Sequence, residues 1–340
     1  MFLLWFAIYP VNNIYSITMW KDILFSACLV CFLLCLDTMS ENEETFFSSG
    51  KNCVMLFLTL LFLPLLRHNG IIITVVMSVY LLFRYKKFIR KIAVICCSAL
   101  AVFGLWKLGI LPMLHVITAP STELLAVPIQ QTGRVMRDHH NDMSPWKLEA
   151  LESYFNIPEV WNTYNEKIAD PLKEHFNTKK YDENPSEFFS LWAEVGKKYP
   201  VEYLEAFLHN NYGYWFPETS WWITGIGVVT YAPVADVHRE PILKPRLLNA
   251  YYEWYHTAQY KKVPVIPLLF KPGAIFWCWL FCGFYCLYCK QKKFVLFIPG
   301  FLIWFTLLFS AVYCEFRYVY GLFAGLPLLL AAALTKQRQE

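Results

Sequence analysis

Three short charged turns break the apolar runs of this sequence, and their side chains are of types that can handle a phosphate and move a proton. They are Lys21-Asp22, Arg67-His68 and Glu315-Phe316-Arg317. Arginine grips phosphate oxygens as a two-pronged fork, and lysine does so as a point charge. A carboxylate beside them can take the proton of an attacking hydroxyl. Asp22 and Glu315 are therefore candidate catalytic residues, and Lys21, Arg67, His68 and Arg317 candidate substrate-binding residues. Each has a plainer reading. Arg67 and His68, followed by Asn69-Gly70, fit a helix C-terminus with cations on the dipole. Lys21, Asp22, Glu315 and Arg317 fit ordinary anchors where helices leave a bilayer. As a set of six at one boundary they point to function, because charge at membrane depth is costly and usually employed.

The elements that position these turns are membrane spans. Apolar residues make up 57% of the chain and charged residues only 16%, too few to cover a soluble domain of this length. Of the 26 acidic side chains, 19 fall in residues 112–270, so one water-facing insertion sits in an otherwise apolar chain. Taking about 20 apolar residues per crossing, candidate spans lie at about 2–18, 22–37, 52–67, 70–85, 92–111, 270–289, 294–313 and 316–334. The basic knots Arg84/Lys86/Lys87/Arg90/Lys91, Lys290/Lys292/Lys293 and Lys336/Arg338 belong in the cytoplasm by the positive-inside rule. Alternation then puts residues 112–269 and the three charged turns outside, and the tail 336–340 inside. The loop 38–51, with Glu41, Glu43 and Glu44, fits least well. Pro10 breaks the first run, which reads as the end of a span begun upstream of Met1.

The outer domain reads as mainly helical. Ser144-Pro145 opens one helix, Ser186 a second, Val201–Leu208 makes a third and Arg246–His256 a fourth. Only Ile223–Tyr231 resembles a strand. Its second half is rich in aromatic rings, which suit either a belt at the membrane–water boundary or a platform for sugar rings.

Other chemistries find little support. There is no P-loop, G-x-G-x-x-G, HExxH or G-x-S-x-G. The eleven cysteines lie in or beside apolar runs and the outer domain has none, so no disulfide framework is expected. The cysteine stripes 28/31/35 and 278/282/286 read as small packing residues. His139-His140-Asn141-Asp142 reads as a solvated loop and no metal site is expected.

Several segments resemble motifs of an uncharacterised family of bacterial multi-pass membrane proteins. They are Tyr15–Asp22, Leu66–Gly70, Glu315–Tyr318, Pro128–Arg134, Asp170–Lys173 and Asn210–Tyr214, in the right order along most of the chain. The family layout resembles the GT-C glycosyltransferases. That resemblance implies an all-α membrane protein of about eight transmembrane helices, with the mainly helical extracytoplasmic domain between spans five and six. It further implies transfer of a sugar from a polyprenyl-phosphate donor to a cell-envelope acceptor at the outer face. Partners would be membrane lipid and lipid-linked sugar, with no nucleic acid and no further cofactor. GT-C enzymes keep a catalytic acid in the first outer loop, which in this layout falls upstream of Met1. A transporter of lipid-linked intermediates and a non-catalytic assembly partner are the rival expectations. Lys107 alone among ionisable residues falls deep in a span.

Overall fold

A computed structural model describes residues 2–116, 121–219, 265–310 and 312–335, with a few isolated positions between 231 and 263. The described residues are mainly helical. An N-terminal apolar region holds α1 (Phe2–Ile8), α2 (Pro10–Ser16), α3 (Lys21–Glu41), α4 (Glu43–Ser48), α5 (Gly50–Leu66), α6 (Gly70–Arg84) and α7 (Ile89–Gly104). The last continues through a π-helical turn, Leu105–Ile110, to Met113. The middle region, expected from the sequence to be the outer domain and called so below, holds α8 (Ala126–His139), α9 (Pro145–Glu152), α10 (Asp170–Lys173), α11 (Thr178–Glu183), α12 (Pro185–Lys198) and α13 (Pro200–Asn211). A C-terminal apolar region closes the chain with α14 (Pro272–Tyr288), α15 (Ile298–Leu307) and α16 (Phe316–Leu334).

Among the described residues three helices are long and apolar enough to cross a membrane: Lys21–Glu41, Lys86–Met113 and Phe316–Leu334. Gly50–Leu66, Gly70–Arg84 and Pro272–Tyr288 are apolar but shorter. The expected run 2–18 is two helices, because Pro10 cannot donate to the ladder and opens α2 after an extended Tyr9. The expected run 294–313 is not one helix either. A 3₁₀ stretch, Lys292–Phe297, precedes Pro299, and only ten residues of α15 follow. The loop at 38–51 instead carries the last turn of α3 and the whole of α4.

At the centre, α3 and α16 run parallel in close contact. Gly321-Leu322-Phe323-Ala324-Gly325 on α16 removes side-chain bulk at two positions one turn apart, a spacing that lets apolar helices approach. A Cβ on Gly321 would meet Leu29 at 2.9 Å, and one on Gly325 would meet Leu33 at 3.0 Å. α5 packs on α3 and α14 on α16, α7 lies behind α5, and α2 runs antiparallel to α16 through the Tyr320 hydroxyl, which donates to Asn12 Oδ1 at 2.8 Å. At the far end of α3, Lys293 is nearly dry and bonded to Asp37 at 2.9 Å and Glu41 at 2.8 Å. Lys87 pairs with Glu44. The acidic loop at 38–51 thus faces two basic knots, which is why acid occurs on that side.

The outer domain has its own core around Ile129, Val135, Leu151, Phe176 and Phe188. Pro145 opens α9 as expected, although the Ser144 side chain forms no cap bond. The second helix opens at Pro185, one residue before Ser186. The third runs from Pro200 to Asn211, beyond the expected bounds. A two-residue ladder joins Tyr231–Ala232 to Val237–His238. The expected helix at 246–256 and most of the expected strand at 223–231 lie outside the described residues. In the cluster His139–Asp142 the expected exposed turn holds for Asn141 and Asp142, whereas the two histidines are partly buried and engaged. His139 bonds Glu202 at 2.8 Å and stacks on Tyr199, while His140 stacks on Trp161.

Candidate functional site

The site is built from the starts and ends of apolar helices. Asp22 is in the first turn of α3, and Arg67 is the extended residue that ends α5. The two turns are brought together by α3–α5 packing, and Arg67 Nε lies 3.2 Å from an Asp22 carboxylate oxygen. Both side chains are almost dry, at 11% and 7% exposure. The tight turn after Arg67 needs Gly70, where a Cβ would collide with the backbone carbonyl of Leu63. Arg67 also lies 4.3 Å over the Tyr318 ring and 5.4 Å over the Phe25 ring. Its fork is therefore used inside the protein.

Glu315 caps the start of α16 and lies 3.2 Å from Arg317 Nε. Its backbone N–H donates to the hydroxyl of the buried Tyr214 at 3.1 Å. Arg317 lies 5.0 Å over Tyr318 and 5.4 Å over Trp20, so Tyr318 contacts both arginines. Burial holds the Glu315 carboxyl above its ordinary value, against the opposing pull of Arg317; Asp170 and Asp22 add to the upward push. Lys21 and His68, the other two of the six, are exposed and make no ion pair among the described residues.

Above this cluster the outer domain closes a cleft of about 440 Å³, lined by Glu123, Asp170, Lys173, Glu315, Arg317 and Tyr318, with Ile168 and Val312. Lys173 spans it, bonded to both Glu123 and Asp170 at 2.9 Å. Asp170, Lys173, Glu123, Tyr318 and Trp20 were absent from the six residues picked from sequence. Two of the segments noted in the sequence, Asp170–Lys173 and Glu315–Tyr318, face one another here, and that pairing was the available signal.

A chain of buried amides sets the cleft. In α8, Gln130 donates to the Asn165 carbonyl at 2.7 Å and to Asn210 Oδ1 at 3.2 Å. Asn210 in turn donates to the carbonyls of Ala206 at 2.7 Å and Glu166 at 3.3 Å. The next residue along, Lys167, offers its carbonyl to the Tyr313 N–H at 3.2 Å, and Ile168 bridges to Val312. The Cys314 thiol donates to the Gly213 carbonyl at 3.1 Å. The motif-like segments 128–134 and 210–214 thus fix the loop that carries Asp170 and fasten it to the start of α16.

A second cavity, of about 430 Å³, is wholly apolar and lies between α1, Ile266–Phe270 and the middle of α16, with Trp5, Leu269, Leu326 and Leu330 on its walls. At about 100° per residue, Leu326 and Leu330 sit roughly opposite Arg317 on α16. The two cavities are on different sides of that helix. No group of metal-ligating side chains capable of holding an ion occurs among the described residues.

Residues 1–340 match the family of unknown function DUF6020 along their whole length. The chain belongs to that family. No curated protein and no solved structure matches it. The family description assigns no activity, so the reading of the site rests on its geometry.

Proposed function

We propose that the chain is a multi-pass membrane enzyme of GT-C-like layout that moves a sugar from a polyprenyl-phosphate donor to a cell-envelope acceptor. The observation that carries this reading is the 440 Å³ cleft between the outer domain and the start of a spanning helix. Its position suits a substrate with a greasy tail and a polar head. Its lining of carboxylates, a guanidinium and a phenol suits a sugar, whose hydroxyls donate to carboxylates and whose ring edge packs on aromatic faces.

In this mechanism Glu315 takes the proton of the acceptor hydroxyl. The acceptor oxygen then bonds to the anomeric carbon as the carbon–oxygen bond to phosphate breaks, and the lipid phosphate leaves with the electron pair. Burial of Glu315 raises its proton affinity towards that of a working base. Arg317 orients Glu315 and faces the developing charge. Asp22 is committed to Arg67, and its part is to hold Arg67 against Tyr318, not to act as base. The shorter apolar helices complete the crossings, with the outer domain extracytoplasmic and the C-terminus cytoplasmic.

One observation favours a second reading. Arg67, Arg317 and Lys173 each have a carboxylate partner within the chain, as a non-catalytic clamp holding the outer domain would require. The two readings part on Glu315→Gln. For the enzyme, purified protein in nanodiscs transfers labelled sugar from a polyprenyl-phosphate donor, and the variant loses about 10²- to 10⁴-fold in rate while donor binding persists. If wild type moves no sugar from any polyprenyl-phosphate donor in a panel, while Arg317→Ala loosens the outer domain to proteolysis, the clamp stands instead.

A further inference from the structure

The two arginines that sequence reasoning offered as phosphate ligands are engaged elsewhere, Arg67 in a dry pair with Asp22 and Arg317 with Glu315. Lys21, His68 and Lys107 are the basic side chains near them that have no ion pair among the described residues. Lys21 opens α3 next to Asp22, and His68 follows Arg67, so the Asp22–Arg67 contact sets these two beside each other.

Lys107 reaches the same level from a third helix. α7 starts beside the end of α6 and returns antiparallel to it. A rise of about 1.5 Å per residue brings Lys107 back to the turn between α5 and α6. It sits inside the π-helical turn Leu105–Ile110, a local widening that recurs at functional positions because it re-aims side chains. The His68 imidazole is held below its ordinary value by desolvation and then by the charges of Lys107, Lys21 and Arg67, in keeping with the placement that the ion pair and the helix lengths give. Lys107 has Leu105, Trp106, Leu108 and Ile110 around it in sequence, all largely exposed. A lysine in such a stretch is costly next to hydrocarbon unless an anion meets it.

We infer that Lys21, His68 and Lys107 form a site for the phosphate of a membrane lipid, at the boundary beside the cleft and outside it. This deepens the reading above by naming what holds the donor's phosphate while its sugar reaches the Glu315–Asp170 cleft. Trp20, which touches Arg317 and adjoins Lys21 in the chain, connects the two places. The ligand is a phosphomonoester or phosphodiester headgroup carried on an apolar chain. The two lysines and the imidazole, a neutral N–H donor near pH 7, lie on three different elements, so they converge on a headgroup only when the bundle is assembled.

The test uses full-length protein in nanodiscs of neutral lipid. A fluorescent polyprenyl phosphate, an anionic phospholipid and inorganic phosphate are titrated separately. Wild type is expected to bind polyprenyl phosphate, and Lys21→Ala or Lys107→Ala to weaken it about fivefold each, as expected for one cation at a membrane surface. Lys107→Arg should retain affinity and Lys107→Glu should lose more than Lys107→Ala, which separates charge from folding. Equal competition by anionic phospholipid would assign the site to structural lipid and sever it from the donor, overturning that part. Competition by inorganic phosphate at the same concentrations would remove the role of the apolar chain and overturn the lipid assignment. Wild-type affinity in the Lys21/His68/Lys107 triple alanine variant overturns the site altogether. Glu315→Gln is the partner control. If it binds normally but no sugar moves even in wild type, the enzyme reading fails while the phosphate site stands.

Discussion

Asp22 and Arg67 share an ion pair that is nearly dry on both sides, and such pairs are costly to break from one side only. Removing one partner leaves a buried charge uncompensated, at about 3–5 kcal/mol, whereas replacing both with apolar residues is often neutral. Asp22→Ala should therefore lower the detergent unfolding temperature sharply, and Asp22→Leu with Arg67→Met should restore most of it. An unaltered melting curve for the single variant would show that the pair is solvated. At Glu315 the raised proton affinity makes a pH prediction. A base must be deprotonated to act, so transfer should fall as pH drops through a limb that lies above the ordinary carboxylate range. The limb should vanish from the residual rate of Glu315→Gln. That charged residues would gather at one boundary was legible in the sequence, because the three turns alternate with apolar runs. Which charge would meet which was not. The Asp22–Arg67 pairing and the stacking on Tyr318 depend on helix approach across gaps of 45 and 251 residues.

Helix α8 shows where sequence patterning fails. It buries Gln130, Gln131, Thr132 and Gly133 alongside Ile129, Val135 and Met136. A stripe that is polar in the middle carries no clear apolar periodicity, so the central helix of the outer domain was read only as a motif. The helices at 145–152, 185–198 and 200–211 were legible, having proline at their starts and an apolar face. Asn210→Ala should cost about 1–3 kcal/mol, because it takes the Asn210 donor from the Glu166 carbonyl and leaves Gln130 only its bond to the Asn165 carbonyl. It should also displace residues 165–170, so hydrogen exchange should rise at Lys167 and Tyr313 together. Exchange that rises only in α13 would break the proposed link to α16. Gly133→Ala belongs to the same scale. Its Cβ would press into Leu172, and overpacking of this kind costs about 1–3 kcal/mol.

For the molecule as a whole, the parallel α3–α16 pair places Asp22 and Arg317 at one end and the Lys293–Asp37–Glu41 triad at the other. The apolar runs made the long apolar helices Lys21–Glu41, Lys86–Met113 and Phe316–Leu334 legible. The breaks at Pro10 and Pro299, and the 3₁₀ stretch before α15, were not resolved by counting apolar residues. Gly321–Gly325 was a readable signal of the central contact that hydropathy alone passes over. On the proposed topology, a tag inserted at Asn141 should be labelled in intact cells and a tag after Glu340 should not. The reverse pattern would place the cleft in the cytoplasm and remove access to a cell-envelope acceptor.

The partners at the centre of the bundle, Lys21–Glu41 and Phe316–Leu334, lie far apart in the sequence. α3 is complete at residue 41, while the helix whose Gly321 and Gly325 approach Ser26, Leu29 and Leu33 begins at residue 316. At usual synthesis rates of about 5–20 residues per second, tens of seconds separate the two. During that interval α3 has its neighbour α5 and the Asp22–Arg67 contact, but an open seat along its length. A ribosome stalled before α16 would leave that seat facing lipid, with Tyr15 and Trp279 deprived of their neighbour as well. Such nascent chains should be the ones that membrane quality control retains longest, and restoring the last helix as a separate polypeptide should release them.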